Sequence, residues 1–307
     1  MPIVRPAVHG QILRALARNA KLPIADRPKV DEALQRYAEW RARLEAATGD
    51  AGALLSELVA ATNAYKRFIE LNLVFLSSED FLYRQSGQLK LNNTILEEFL
   101  PFLVDERLVP GLRNIPTLTA GPQACYAGMF IGPVHAPLND GGIYIKTKNQ
   151  DFTVGRKLHI RACQTGDFAN CLDTSFNVAY FVSELKTNLD KTMFQEAAAT
   201  ARELKASVGD SVYVLLCEWL DMPPIDTRVT EIDEVIILRR ARRLGSQVRS
   251  AFSTVAGRQA ARAAYEQHLD RNPLSETAFA RVLEKLKFSF PEEVALNEGA
   301  VLERGYF

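Results

Sequence analysis

The stretch "NVAYFVSELKTNLDKTMFQEAAATARELKASVGDSVYVLLCEWL" (residues 177–220) decides the fold, because its hydrophobic period changes twice. It begins as an apolar run that ends in Glu-Leu-Lys, as in a buried strand that emerges into solvent. Apolar residues then recur every three or four positions, which predicts a helix with Thr192 and Gln195 as its capping box. From Ser211 onward the chain is apolar again. A strand, a helix and a strand in this order indicate an α/β core.

The rest of the chain separates into a helical beginning, a sheet-forming middle and a helical end. Alternating runs at 142–148 and 156–162 predict two further strands. Helical spacing predicts one helix between Asp26 and Gly49 and another that starts at Asp50. We therefore divide the chain into a helical N-terminal domain (1–114), an α/β core (115–235) and a helical C-terminal extension (236–307).

Composition excludes several classes of protein. Lysine plus arginine and aspartate plus glutamate number 37 each, so a nucleic-acid partner would need a local basic patch. We see neither an apolar run of about 18 residues nor the pattern of a signal peptide. The four cysteines form no CxxC pair, which argues against a zinc ribbon or a disulfide framework. We expect a cytoplasmic protein with reduced thiols, in which Cys163 and Cys171 are core residues rather than a redox pair.

The tripeptide Glu-Leu-Lys occurs twice, at 184–186 and at 203–205. On a strand, residues i and i+2 point the same way, so Glu184 and Lys186 share a face. On a helix, the same spacing rotates the side chains apart by roughly 200°. Glu203 and Lys205 lie in the helical stretch and are expected to be solvated, with nothing to share. Only the first copy is placed for joint chemistry.

A carboxylate beside an ammonium group suits metal-assisted hydrolysis. Magnesium prefers oxygen ligands, commonly one or two carboxylates completed by substrate phosphate and water. Glu184 would supply one ligand and the backbone carbonyl of Leu185 another. Lys186 would position or deprotonate the attacking water.

A second carboxylate is needed, and we expect it upstream of Glu184. Asp173 is favoured because a short hairpin would return it beside the end of the Glu184 strand. Asp167 and Asp151 are the alternatives. The spacing of Asp173, Glu184 and Lys186 is a weak signal by itself, and an ion pair at the surface end of a strand would give the same pattern.

The strand ending in "SELK", the capped helix and the buried strand after it resemble the PD-(D/E)XK nuclease superfamily, specifically type II restriction endonucleases. Three segments, "FLYRQSGQLKLNN", "NQDFTVGRKLHIRAC" and "KTNLDKTMFQEA", are similar to the BbvCI- and DdeI-like group. The resemblance implies a mixed central sheet flanked by helices, with Asp173 and Glu184 binding Mg²⁺ and Lys186 activating water. One departure is Leu172, because no proline precedes Asp173.

The function implied by this resemblance is Mg²⁺-dependent, sequence-specific cleavage of double-stranded DNA. Cutting both strands needs two active sites, so we expect a homodimer, or a heterodimer in which this chain cuts one strand. Two alternatives stay open at this stage. One is a repair or recombination nuclease that recognises DNA structure, and the other is a non-enzymatic DNA-binding or assembly protein with a surface ion pair at Glu184 and Lys186.

Two segments are candidate DNA contacts. Residues 84–93 contain Arg, Gln and Asn, which can make paired hydrogen bonds to guanine and adenine. Residues 239–262 contain seven arginines and no acid, and arginine forks fit phosphate oxygens. The alternative for the second segment is pairing with acids of the N-terminal helices. The candidate residues are Arg84, Gln88, Lys90, Asn92, Arg239, Arg242 and Arg243.

Overall fold

A mixed five-stranded sheet lies at the centre of the chain, with its strands in sequence order from β1 to β5. The computed structural model describes residues 5–115, 117–132, 142–169, 171–292 and 298–305. The strands are β1 (Leu118–Ile131), β2 (Ile143–Ala162), β3 (Leu172–Leu189), β4 (Val212–Leu220) and β5 (Glu234–Arg242). Neighbours are antiparallel from β1 to β3 and parallel from β3 to β5. The predicted α/β class is confirmed.

Helices precede the sheet, cross over it and follow it. The first group is α1 (Val8–Ala17), α2 (Arg27–Ala46), α3 (Ala51–Phe68), α4 (Asp80–Gln85) and α5 (Asn93–Phe99). Helix α6 (Lys191–Ser207) connects β3 to β4. The last group is α7 (Ser246–Ala251), α8 (Val255–Ala260), α9 (Arg262–Arg271), α10 (Glu276–Ser289) and α11 (Glu298–Arg304). The predicted helical beginning and end are therefore confirmed in outline.

Local capping explains where the main helices begin. Asp50 accepts a hydrogen bond from the Ala53 amide (2.9 Å) and starts α3, as predicted. Helix α3 then continues into a π-helical segment over Ile69–Phe75. The predicted capping box of α6 is wrong: Asp190, in an extended conformation, accepts from the Met193 amide at 2.9 Å and takes that role. Asp190, the residue before the helix, therefore caps α6 in place of the predicted Thr192.

The sheet is longer than the sequence indicates. The two runs predicted as separate strands are halves of one strand, β2. Strands β2 and β3 contain a register shift. Val154 pairs with Phe181 and the next residue, Gly155, pairs with Ala179, so Tyr180 of β3 has no partner on β2. Gly155 is required there, because a Cβ would lie 1.9 Å from a backbone carbonyl oxygen of β3.

Strand β5 corrects the expected extent of the C-terminal helical region. Residues 236–242 belong to β5 and pair with β4, so helix begins after them. Buried side chains from α2, α3, α5, four strands and α10 form one continuous cluster, and α6 packs on the opposite face of the sheet. The division into three domains stays a prediction.

A buried ion cluster joins the N-terminal helices to the sheet. Lys66 of α3 lies 2.9 Å from Glu218 of β4 and 3.5 Å from Glu70. Arg239 of β5 donates to Glu70 at 2.7 Å and to Glu218 at 3.0 Å. All four side chains are at most 4 % exposed. The cluster fixes α3 and its π-helical extension against two parallel strands.

These contacts correct one predicted DNA contact. Arg239 forms ion pairs with two buried carboxylates, so its guanidinium group is unavailable to a DNA phosphate. Arg258, from the same arginine-rich segment, is also buried and pairs with Asp80 at 3.0 Å. For Arg239 and Arg258, the alternative of pairing with N-terminal acids is confirmed.

The cysteines also differ from expectation. Cys163 and Cys171 are joined as a disulfide that closes the turn between β2 and β3, so they are neither core residues nor reduced. Cys125 and Cys217 are free and buried. Within the described ranges, every helix is too short or too polar to cross a membrane.

The buried ion cluster gives the first prediction. Lys66→Met keeps the aliphatic stem but leaves Glu218 and Glu70 short of one cation, and breaking a buried pair costs about 3–5 kcal/mol. Arg43→Met is the matched control, because Arg43 pairs with Glu57 across two helices at an exposed position and such pairs contribute about 0.2–1 kcal/mol. Urea unfolding measures both. Equal losses of unfolding free energy in the two variants would contradict the structural role of the cluster.

Candidate active site

Glu184 and Lys186 lie together near the end of β3. The Lys186 Nζ is 2.6 Å from the Glu184 Oε1, and the side chains are 17 % and 22 % exposed. The prediction that strand alternation brings them to one face is confirmed. Burial lowers the pKa of Lys186, but the hydrogen bond and charge of Glu184 outweigh it, so the pKa ends above its ordinary value.

Asp151 of β2 is the carboxylate that the structure brings to this pair. Its Oδ2 accepts a hydrogen bond from the Leu185 amide at 2.9 Å. The antiparallel register, which pairs Phe152 with Ser183, brings Asp151 opposite Glu184. Burial raises the pKa of Asp151, the Leu185 amide opposes that shift, and the Glu184 charge adds to it. Two carboxylates and one ammonium group therefore lie together where the middle of β2 faces the last part of β3.

Asp173 does not join them. Strand β3 runs without a turn from Leu172 to Leu189, so Asp173 lies about 36 Å along the strand from Glu184. Its carboxylate accepts from Nε and Nη2 of Arg161 at 2.6 and 2.9 Å, and this contact keeps its pKa below the ordinary value. The expected hairpin between Asp173 and Glu184 is wrong, because the turn precedes Asp173. Asp167 lies in that turn and is equally remote.

Tyr213 of β4 is a site residue that sequence reasoning missed. Its hydroxyl donates to the Glu184 Oε2 at 2.5 Å, and its side chain is fully buried. Burial and the Glu184 charge raise the pKa of Tyr213, so the phenol stays a neutral donor. The available signal was a tyrosine near the start of a fully buried strand, among the aliphatic residues of 212–216. Tyr213 holds Glu184 in place from the parallel neighbour of β3.

Glu97 of α5 is a second residue that the sequence pattern did not reveal. The side chain is buried, and burial followed by the Asp151 charge raises the pKa of Glu97 to about 7, while Lys90 opposes the shift. Its neighbour Glu98 has a structural role, because it accepts hydrogen bonds from Tyr37 and Arg41. Two acids in the apolar helix sequence "NTILEEFL" were the available signal.

A cleft of about 390 Å³ adjoins the strand end that carries Lys186. Thr187 and Asn188 of β3 line it, and Thr187 is hydrogen-bonded to Asn93 at the start of α5. Of the predicted DNA contacts, Lys90, Asn92 and Arg243 line this cleft.

The other predicted DNA contacts lie outside the cleft lining. Gln88 is exposed in the turn between α4 and α5. Arg84 pairs with Asp80 at 3.2 Å, and Arg242 donates to the Met222 carbonyl.

The second Glu-Leu-Lys behaves differently from the first. Glu203 pairs with Lys146 and Lys148 of β2, and Lys205 pairs with Asp233 at 2.7 Å. The two side chains do not meet each other, as predicted. The expectation that they are simply solvated is wrong, because Glu203 has partners on β2 and Lys205 has one just before β5.

The oxygen donors at the first copy suit a hard divalent cation. Within the described ranges, no group of three or more His, Cys, Asp or Glu is arranged to hold a metal. Magnesium needs only one or two carboxylates when phosphate and water complete its shell. Asp151 and Glu184 match that set, and the role of the Leu185 carbonyl stays a prediction.

A mixed sheet whose third strand ends in Glu-x-Lys beside an aspartate of the neighbouring strand is typical of PD-(D/E)XK nucleases. The family model described as Bpu10I restriction endonuclease matches residues 88–307. The chain belongs to this family and is a type II restriction endonuclease, a site-specific deoxyribonuclease, which confirms the resemblance. Restriction endonucleases act on DNA and generally use a divalent metal.

One similar solved structure is described as the native BbvCI A2B2 tetramer at low resolution. It has a TM-score of 0.63 and 17 % sequence identity, and the match covers 93 % of this chain and 97 % of that chain. At this identity the likeness shows the fold alone. No curated protein matches the sequence significantly.

The raised pKa of Glu97 predicts a pH-dependent stability. The folded protein favours the neutral carboxyl, so this stabilisation is complete below the ordinary pKa of 4.5 and is lost as pH rises through about 7. Glu97→Gln stays neutral, so its Tm relative to the parent should rise by a few degrees between about pH 5 and pH 8 in EDTA. Thermal unfolding measures this difference, with the exposed Glu39→Gln as control. A difference that does not change with pH would contradict it.

Proposed function

We propose that this chain hydrolyses phosphodiester bonds of double-stranded DNA at a specific sequence and requires Mg²⁺. The observation that carries the proposal is the meeting of Asp151, from the middle of β2, with Glu184 and Lys186, near the end of β3. Family membership supports the substrate, and the oxygen donor set supports the metal. Water attacks phosphorus, the bond between phosphorus and the 3′ oxygen breaks, and the products end in a 5′-phosphate and a 3′-hydroxyl.

The side chains have separate roles in this proposal. Asp151 and Glu184 hold the metal, and each is fixed by a second contact, the Leu185 amide for one and the Tyr213 hydroxyl for the other. A bound Mg²⁺ activates water and stabilises negative charge on the phosphate. Lys186 keeps its proton, since its pKa lies above the ordinary value. It therefore orients the attacking water and offsets charge on the phosphate instead of acting as the base.

The cleft beside the active site is the proposed path of the DNA backbone. Lys90 and Arg243 line it with cationic groups, and Asn92 adds an amide. Lys90 has a positive φ of 50°, an uncommon conformation that is held by its amide donating to the Gly87 carbonyl. This turn directs the chain back over the strand end. Arg84, Gln88 and Arg242 are proposed to contact DNA at the edge of the same surface.

Two active sites are needed to cut both strands, and one chain supplies one Glu-x-Lys cluster among its described residues. We therefore propose a dimeric arrangement, either two copies of this chain or this chain with a different nuclease subunit. The BbvCI structure, described as an A2B2 tetramer, shows a heteromeric arrangement in a protein of the same fold.

The two Glu-Leu-Lys copies allow a controlled test of the active site. With Mg²⁺ and phage DNA, the parent should give discrete bands. Glu184→Gln and Lys186→Ala should each reduce cleavage by about 10²-fold or more, because each removes a principal catalytic group. Binding in Ca²⁺ should persist.

Glu203→Gln and Lys205→Ala make the same chemical changes on α6 and should cut within a few-fold of the parent. Their partly exposed ion pairs contribute about 0–1 kcal/mol to stability, so folding does not confuse the comparison. Equal cleavage by all four variants would show that Glu184 and Lys186 do not form the active site.

A second test concerns the upstream carboxylate. Asp151→Asn should abolish cleavage while leaving DNA binding in Ca²⁺ intact, because a neutral amide replaces a metal-binding carboxylate. Asp167→Asn, in the exposed turn between β2 and β3, makes the same change far from the site and should cut normally. Plasmid cleavage in Mg²⁺ measures both. Full activity of Asp151→Asn would show that another group holds the metal.

A further inference from the structure

The outer parts of β2 and β3 leave the sheet as a two-stranded ribbon, which comprises residues 157–162 and 172–177. These residues pair with each other, from Lys157 opposite Asn177 to Ala162 opposite Leu172. Strand β1 pairs with β2 only as far as Arg156 and with β3 at Asn177, at the base of the ribbon, and β4 begins to pair with β3 at Phe181. The disulfide between Cys163 and Cys171 closes the far end. The ribbon is thus an ordered arm that starts where the core ends.

The two faces of the ribbon differ in chemistry. Strand alternation places Lys157, His159 and Arg161 on one face, and all three are exposed. The opposite face carries Leu158, Ile160 and Phe176, and the Phe176 ring stacks on Tyr126 of β1 at 4.9 Å. The apolar face therefore packs on β1 through Phe176. On the polar face, Asn177 donates to the Ala124 carbonyl of β1 at 3.1 Å, and Lys157, His159 and Arg161 stay exposed.

Charge favours a polyanion as the occupant of the polar face. The polar face carries the cations Lys157 and Arg161 against one carboxylate, Asp173. This contrasts with the zero net charge of the whole chain. A local basic surface on a neutral protein is the kind of patch that would hold nucleic acid.

Shape and position favour the major groove of DNA. This groove is wide enough to admit a two-stranded β-ribbon. Lys157 and Arg161 lie on the same side of β2 as Asp151 by alternation, six and ten residues along the strand. That is about 20–33 Å of strand length at the rise of a strand, measured along a strand that curves so that Cys125 of β1 pairs with both β2 and β3.

We propose that the ribbon enters the major groove and that Lys157, His159 and Arg161 read base edges there, which sets the sequence that the enzyme cuts. The proposal rests on the proposed function and names its specificity element. Arg161 already presents Nε and Nη2 as a fork to the Asp173 carboxylate. The O6 and N7 atoms of guanine accept the same fork, so DNA replaces one pair of acceptors by another.

Selection from a duplex library with a randomised centre tests this inference without needing cleavage. The full chain is bound in Ca²⁺, the bound DNA is isolated by gel shift, and its sequence is read. For Lys157→Ala, His159→Ala and Arg161→Ala, preference should relax at one or two positions, and discrimination against single-base changes should fall about 10-fold to 100-fold per lost contact. Affinity for unrelated DNA should change only a few-fold.

Controls separate base reading from other effects. Lys287→Ala and Arg228→Ala remove exposed cations elsewhere and should select the parental sequence. Circular dichroism and Tm verify that the exposed substitutions leave the fold intact. An unchanged selected sequence in all three ribbon variants would overturn the inference.

Two further outcomes would also overturn it, and they are distinguishable. A uniform loss of affinity for every sequence, with a shallower salt dependence, would show phosphate contact instead of base reading. A parent that selects no sequence and gives no discrete bands in Mg²⁺ would overturn the proposed function together with the ribbon. If the parent selects a sequence and the three ribbon variants select the same one, the ribbon inference is overturned and the proposed function is retained.

Discussion

The double pairing of β3 is the constraint on which the candidate site depends. Antiparallel pairing with β2 brings Asp151 across from Glu184, and parallel pairing with β4 brings the Tyr213 hydroxyl to the same carboxylate. Both contacts depend on the register of the strands, because a one-residue slip of β2 or β4 against β3 would turn its side chains to the other face of the sheet. The backbone hydrogen bonds of the sheet therefore determine the relative positions of these three side chains. The buried cluster around Lys66 and Arg239 holds the N-terminal helices against this sheet.

Buried charge serves two purposes in this molecule. Around Glu218, every carboxylate faces a cation at short distance, so the arrangement is a structural junction. Around Asp151, carboxylates are buried beside one another, and the pKa values of Asp151 and Glu97 are raised by burial and by mutual repulsion. Carboxylates that repel one another are stabilised when a cation binds between them. This contrast separates a junction from a site for chemistry.

Local patterns allowed much of the fold to be predicted. Helices α2, α3 and α6 and the strand β4 follow from apolar periodicity, because each buries one face or all of itself. Strand β5 was hidden because its sequence "EVIILRRAR" leads into an arginine-rich segment that continues as helix. Glu184 and Lys186 were found since both their spacing and their strand are local. Asp151 was only an alternative to Asp173, and Tyr213 and Glu97 were assigned no site role, because pairing between distant segments is what brings these residues to the site.

The unpaired Tyr180 has a consequence for how such enzymes can vary. This single extra residue separates the strand pair into an inner part, which carries the carboxylates, and an outer part, which forms the ribbon. Residues added or removed in pairs beyond Tyr180 and Gly155, equally on both strands, would change the reach of the ribbon while leaving the inner register untouched. The arm and the cutting centre are then separable parts of one hairpin. Under the proposals above, relatives with different targets would differ in the length and polar face of the ribbon and would keep the geometry of the candidate site.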